Sequence, residues 1–384
     1  MAQFKGSIAQ VNVNFPIETV ITPMAGENYS RVLIFMHIEN VATYLPNVTE
    51  PSAGDLVELN SSNYGTLTGG KLKSWLVPFF AKATTAKVGI AIFDTDTTEG
   101  EGAEAVTTAA TAPLATVYEA KKMYAYFKFA IEESTGYNQA QVNLSNLCKV
   151  DPLYSTLWVG TDDENILTSS SALITALNNA GSKARIVYNS DSTINGALAQ
   201  LGATLAVANT TGTPVGNSVD MLAFNTVKAS GVVDDSGEHT DLTATQKSAL
   251  DSQKVGYQTW IGDGTENVVT EGSLNLNGES VGANWVKAYI EYMCKVKTAN
   301  YMTKLNTFRN NETYQAILLI LTDQVRPFLQ FGRLDGFILT APPFSQLPTS
   351  GDQITVPNAW EATYIDNVRE VTVYGTLYIT QPTR

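Results

Sequence analysis

The sequence predicts a mixed α/β protein, α/β over most of its length and α+β towards its C-terminal end. Three observations carry this. Residues 156–190 read as a strand (TLWVG), a helix (DDENILTSSSALITALNNAG) and a second strand (KARIVYNSD), a unit that implies a parallel pair joined by a crossover. Two uninterrupted apolar runs, SRVLIFMHIENV at 30–41 and KVGIAIFDTD at 87–96, suit strands buried on both faces. Two long helical patterns, 284–305 and ETYQAILLILTDQVRPFLQFG, lie near the end and are followed by extended segments.

Taken in order, residues 1–23 read as an extended arm, with Val11, Val13 and Phe15 alternating with Asn12 and Asn14 before Pro16 and Pro23 interrupt. Residues 42–70 are turn-rich, and TTEGEGAEAVTTAATAP has the composition of an exposed loop. Residues 114–133 have helical spacing, with Val117, Met123, Phe127 and Ile131 facing inward. The helix of the strand–helix–strand unit has an acidic start at Asp162 and Asp163 and a stop at Gly181. STINGALAQLG and TLAVANT read as a further helix and strand. LTATQKSALDSQKVGYQTW is a helix running into an aromatic segment, and 262–282 reads as a hairpin. Asn284 is placed to cap the helix 284–305, whose Trp285, Ala288, Tyr289, Tyr292 and Val296 share one side. The next helix stops at Pro327 or Gly332. EVTVYGTLYIT alternates strictly, Val371, Val373, Leu377 and Ile379 against Thr372, Tyr374, Thr376, Tyr378 and Thr380, so a two-faced strand is expected there. Nothing nearby in the sequence offers it a partner.

The length of 384 residues fits two or three domains. Charged residues make up 16%, against about a quarter in ordinary domains, with Thr, Ser and Asn filling the polar balance. Such a surface suits permanent contacts. The net charge of −13 argues against a nucleic-acid or anionic-membrane partner, each of which needs a basic footprint. Residues 281–384 carry nine Lys/Arg against eight Asp/Glu, while 1–280 carry fifteen against twenty-nine. No leader is evident in MAQFKGSIAQVNVNF, and no run reaches the about 18 apolar residues of a membrane span, so synthesis in the cytoplasm is expected. Cys148 and Cys294 are expected to be buried thiols.

Catalytic constellations are weak. GTLTGGKL puts Gly65, Gly70 and Lys71 where a phosphate-binding loop needs them, but Leu72 stands where a Mg²⁺-ligating Ser or Thr belongs. Asp94, Asp96, Glu99 and Glu101 lack calcium-loop spacing. Helix capping accounts for Asp162 and Asp163. His37 lies within an apolar strand and His239 in DDSGEHTD, so a Ser–His–Asp or Cys–His site is not expected, nor is a metal or cofactor.

Three stretches then carry a resemblance: ALDSQKVGYQTWIG, GESVGANWVKAYIEYMCKVKTANYM and DNVREVTVYGTLYIT. In order and texture they resemble the sheath proteins of contractile phage tails, related to R-type bacteriocin and type VI secretion sheaths. The likeness covers the last third of the chain well and the middle in pattern. It implies an N-terminal linker arm (1–23), an acidic outer α/β domain (24–280), an inner tube-facing α+β domain (281–365) and a C-terminal arm strand (366–384). It implies that the two arms leave their own subunit and add strands to neighbouring sheets, with Val11, Val13, Phe15, Val371, Val373, Leu377 and Ile379 setting register. It also implies a helical homopolymer around an inner tail tube protein, bounded by baseplate and tail terminator, in a virion tail assembled in the host cytoplasm. Arg309, Arg326 and Arg333 become candidates to face the tube, and neither enzyme activity, cofactor, nucleic acid nor membrane is implied. Segments 42–70 and 97–112 do not fit that pattern. The competing readings are another virion structural protein, of the tail tube or baseplate, and an α/β enzyme with an acidic site.

Overall fold

The computed structural model describes residues 2–6, 27–45, 51–67, 70–99, 106–131, 139–168, 171–210, 223–224, 229–231, 240–260, 268–272, 274–305, 310–347 and 359–365. In chain order its elements are β1 (Ala2–Gly6), β2 (Arg31–His37), α1 (Val41–Tyr44), β3 (Leu56–Asn60), α2 (Lys71–Lys82), β4 (Lys87–Phe93), β5 (Thr97–Glu99) and β6 (Val106–Thr108). There follow α3 (Leu114–Lys121), β7 (Phe127–Ala130), α4 (Gln139–Val150), β8 (Thr156–Thr161), α5 (Ala172–Asn179), β9 (Arg185–Tyr188) and α6 (Gly196–Thr210). The last are β10 (Ala223–Phe224), α7 (Ala244–Ser252), β11 (Gly256–Trp260), β12 (Val268–Glu271), α8 (Val281–Leu305), α9 (Asn311–Gln330), β13 (Leu334–Leu339) and β14 (Trp360–Tyr364).

Among the described residues, nine strands form one sheet in the order β10-β12-β11-β9-β8-β7-β2-β4-β3. The strands from β4 through β11 run parallel, β3 at one edge and β12 at the other run against them, and β10 pairs antiparallel with β12. Along the chain the parallel strands are laid down β2, β4, β7, β8, β9, β11, so the direction of growth reverses at β2, as in doubly wound α/β sheets. Both faces are covered. Val32, Ile34 and Met36 of β2 point to the core shared with α2 and α6, and Leu33 and Phe35 to the one shared with α3, α4, α5 and α7. That is why the run read as a doubly buried strand.

Several expectations need correction. The helix expected over 114–133 ends at Lys121, and Phe127–Ala130 is strand β7, paired with β2 and β8. Of its inward set, Val117, Phe127 and Ile131 are buried and Met123 is exposed. The single helix expected after Thr161 is a 3-10 turn, Glu164–Thr168, followed by α5. Asp163 serves that turn, accepting from the backbone and side-chain nitrogens of Asn165 and from Ser171 Oγ (3.0 Å). The strand expected in TLAVANT is the second half of α6. Gly202 does not break that helix. A Cβ there would stand 2.8 Å from Phe79 Cα, so the glycine lets α6 lie directly on α2. The 42–70 segment contains β3, and GGKL opens α2, with Gly70 at φ +84° in the capping position. Part of the 97–112 loop is the small β5–β6 hairpin.

Buried polar side chains stitch the sheet together. Arg185 is fully buried in β9, donating to Gln200 Oε1 (3.2 Å) and to the carbonyls of Leu274 (3.0 Å) and Gly272. Lys128 is fully buried in β7, its amine donating to the carbonyls of Lys122 (2.8 Å) and Ala125. Burial pushes its pKa down to about 7.

Helix α8 crosses the amino ends of the parallel strands. Trp285 meets Phe127 at 5.5 Å, and Tyr289 meets Tyr29, just before β2, at 5.2 Å. Tyr29 Oη donates to the Ala288 carbonyl (3.0 Å). The other side of α8 meets α9, with Tyr289 and Phe328 rings 5.7 Å apart. The expected one-sided stripe is buried, and so are Val286, Ile290, Met293 and Cys294, because α8 is packed on two sides. Its first turn is capped by Ser280, whose Oγ accepts from Ala283 N (3.3 Å), and Asn284 instead donates to Glu279 Oε2 (2.8 Å). Cys148 and Cys294 are buried free thiols, and burial pushes each up to about 12.

Candidate functional site

Behind α8 lies a second sheet in the order β1-β14-β13. β14 is the centre. It pairs antiparallel with β1 from Ala2↔Tyr364 to Gly6↔Trp360, and antiparallel with β13 from Leu334↔Tyr364 to Leu339↔Trp360. The far N-terminal strand therefore closes onto a strand more than three hundred residues away, within one chain. The expected arm 1–23 is described only over this stretch, where β1 pairs with β14 of its own chain.

The inner face of β14 is fixed by packing. Trp360, Ala362 and Tyr364 are buried, while Glu361 and Thr363 between them are half-buried. Gly282 in the first turn of α8 makes room for Tyr364, whose hydroxyl occupies the space a Cβ would need. α9 braces the sheet from its own start to its end. Asn310 caps it, its Oδ1 accepting from Thr313 N (2.8 Å). Tyr314 Oη donates to the Pro342 carbonyl (2.6 Å). Pro327 is accommodated, and the helix stops at Gly332, φ +67°, where Arg333 N returns to the Phe328 carbonyl (2.8 Å).

β13 is different. Its register against β14 shifts between Asp335 and Ile338, at a bulge where Gly336 takes φ +59°. Beyond the bulge, Ile338 and Leu339 are 59% and 42% exposed. Met302, Leu319, Phe331 and Ile365 are also exposed, so most of the exposed large apolar side chains among the described residues belong to this end of the molecule. An uncovered edge strand with apolar side chains is a template for another strand.

The sequence-predicted residues fall unevenly. Val11, Val13, Phe15, Val371, Val373, Leu377, Ile379 and Arg309 lie outside the described residues. Arg326 lies on α9, exposed and paired with Asp323 at 3.2 Å. Arg333 lies at the α9–β13 turn, its carbonyl accepting from Ile365 N (2.9 Å). What sequence reasoning missed is β1, whose AQFKG has no periodicity to show, and the exposed edge at Ile338 and Leu339. FILT was legible as extended chain, but exposure is not visible in four apolar letters.

Two acidic groups just beyond the carboxyl end of β4 are committed to backbone. Asp94 accepts from Thr111 N (2.9 Å) and Ala112 N (2.7 Å), and Asp96 from Ala110 N (2.8 Å). His37 is buried, with Nε2 3.1 Å from Thr95 Oγ1 and Nδ1 accepting from Glu39 N. Among the described residues no three His, Cys, Asp or Glu side chains converge for a metal, and no helix is long and apolar enough to cross a membrane. No protein-family model matches the chain, and no curated protein matches it.

Proposed function

We propose that this chain is the structural subunit of a contractile tail sheath. It polymerises through strand exchange into a helical tube around an inner tail tube and shortens to drive that tube through a host envelope. The observation that carries the reading is the β1-β14-β13 sheet: among the described residues both of its outer strands are edges, and β13 presents Ile338 and Leu339 to solvent. A sheet of that kind takes a further strand by main-chain hydrogen bonding, with alternate side chains setting register. The alternating segment 366–384 of a neighbouring copy is the strand we assign to it. The resemblance of the last third of the sequence to sheath proteins supports the same reading. Partners are then further copies of the chain, the inner tube protein, the baseplate and the tail terminator, in a virion tail assembled in the host cytoplasm. The acidic 24–280 region faces outward and the near-neutral 281–365 region inward, with Arg326 and Arg333 towards the tube. The role is mechanical and needs no cofactor, because contraction draws on interfaces with two stable packings. Against the alternative of an acidic active site stands the use of Asp94 and Asp96 to hold loop backbone.

Deletion of residues 366–384 tests the exchange. We expect assembly, followed by light scattering, to disappear while the thermal transition of the subunit stays within a few degrees of the full chain. A truncated chain that unfolds would place those residues in their own subunit and overturn the reading.

A further inference from the structure

Between the amino ends of β7, β8 and β9 and the first half of α8 lies a cavity of about 370 Å³. It sits at the opposite end of the sheet from the loops in which doubly wound folds usually hold ligands, and at the junction between the two sheets' supporting layers, where pockets also concentrate. Three ammonium groups reach it from three different elements: Lys149 at the end of α4, Lys183 before β9 and Lys287 on α8. In a chain of net charge −13 this convergence is against the trend.

The three are not equally occupied. Lys183 pairs with Glu279 at 3.3 Å, and Glu279 also accepts from Asn284. Lys149 donates to the Ala180 carbonyl (3.1 Å), which leaves two of its hydrogens. Lys287 makes no hydrogen bond or ion pair among the described residues, and Glu291 stands one helical turn on. The Glu291 carboxyl is the weak member of the set. Its Oε1 is buried without a hydrogen-bond partner among the described residues, and burial raises its pKa against the pull of Lys287. With Lys183 and Glu279 cancelling, the cavity keeps Lys149 and Lys287 against one carboxyl that gives up its charge easily. Asn275 adds a second demand. It is 3% exposed, lines the cavity, and its Oδ1 has no donor among the described residues. A buried amide oxygen in that state calls for a hydroxyl or amine. Tyr126 and Leu157 supply an apolar floor.

We propose that this cavity binds a small hydroxylated organic anion, a hydroxycarboxylate or a polyol phosphate ester, with the anionic group between Lys149 and Lys287 and a hydroxyl donated to Asn275. The cavity volume suits a ligand of that size. Charge-assisted contacts of this kind dominate the affinity. The site is separate from β13 and does not depend on whether the chain polymerises.

Isothermal titration calorimetry of the full chain at low salt and pH 7, with malate, glycerol 3-phosphate, inorganic phosphate and glycerol as probes, tests it. Malate binding marks a carboxylate site and glycerol 3-phosphate binding a phosphate-ester site; one of the two is expected to bind, and glycerol is not. Lys287→Ala should weaken that binding about tenfold, as loss of one charge-assisted contact does. Lys287→Arg should restore most of it. Glu291→Gln, which removes the opposing carboxylate without changing shape, should tighten it severalfold. It should also flatten a pH profile in which the wild type binds more tightly as pH falls and Glu291 takes up its proton. The groups facing Glu291 are Lys287 and Cys294 on its own helix and Tyr29 and Tyr126 beside the sheet, and burial raises the pKa of the Cys294 thiol and of both phenols, which keeps them protonated. Should Lys287→Ala fail to fold, the Glu291→Gln arm decides alone. The proposal is overturned if neither hydroxylated anion binds, if inorganic phosphate binds as tightly as they do, if Lys287→Ala leaves the affinity unchanged, or if Glu291→Gln weakens it.

Discussion

The two sheets of this chain treat their edges in opposite ways. At the β3 edge of the large sheet, Glu58 is held by Lys87 at 2.9 Å and by the Tyr124 hydroxyl at 2.9 Å, and the Lys87 bond keeps its carboxyl below the usual range. A charged, hydrogen-bonded rim of this kind blocks a further strand. At the β13 edge of the small sheet the corresponding positions are Ile338 and Leu339, exposed and uncharged. Among the described residues one edge is charged and hydrogen-bonded, and the other ends in apolar side chains. β13 carries a charge and a bulge of its own, Asp335 and the Gly336 kink, but they lie before Ile338 and Leu339 and leave that half of the strand apolar.

The same contrast runs through the interiors. The large sheet is covered on both faces and pinned by buried Arg185 and Lys128. Among the described residues the small sheet is covered on one face, by α8 and α9. The joint between them is α8, and the largest effect is expected there. Trp285→Ala removes a side chain only 2% exposed that meets Phe127 at 5.5 Å. It should cost about 4 kcal/mol, read by denaturant unfolding, and should loosen both sheets together. If the two regions were energetically independent, the loss would appear in only one of two separate transitions.

Lys128 sharpens the comparison through pH. Its folded pKa of about 7 lies below the ordinary lysine value of 10.5, so between these values the unfolded chain binds more protons than the folded one. Stability should therefore rise from pH 7 to 9, by about 2 kcal/mol for a single group following the full slope. Above pH 9 the trend reverses, because Cys148 and Cys294 keep their protons to about 12 when folded and lose them near 9 when unfolded. Chemical denaturation of wild type and Lys128→Met across this range is the check, and the rise should vanish in the variant. A rise that persisted would move its origin elsewhere in the large sheet.

A smaller effect is expected at the support of the small sheet. Asn310→Ala removes the cap of α9 and should lower stability by about 1 kcal/mol in the same unfolding assay. The smallest effect on folding, below about 0.5 kcal/mol, is expected from Ile338→Lys with Leu339→Lys, since both side chains already face solvent.

Much of the large sheet was legible in the sequence. The runs of β2 and β4 are apolar on both faces, and β8, α5 and β9 follow one another with Gly181 at φ +60° as the stop, although the acidic start belongs to the 3-10 turn before α5. β7 was not legible, because its apolar run is interrupted by a lysine that the fold buries, and the Lys121–Lys122 pair before it extends a helical pattern. α6 was cut in two by Gly202, a residue whose purpose is contact with Phe79 and not a turn. The α8 stripe was read correctly but as one side of a surface helix, since periodicity cannot show a second packed side. Exposure at β13 and the convergence of Lys149, Lys183 and Lys287 are tertiary facts with no local signal. The arm residues in 11–15 and 371–379 remain expectations carried by their alternation alone.

The central claim is that the open β13 edge makes the chain polymerise. Negative-stain electron microscopy of the full chain at high concentration, beside the Ile338→Lys, Leu339→Lys variant, tests it most directly. The predicted result is hollow, helically striated tubes from the wild type, and single folded subunits from the variant. Uniform small particles from both, unchanged by the substitutions, would contradict it.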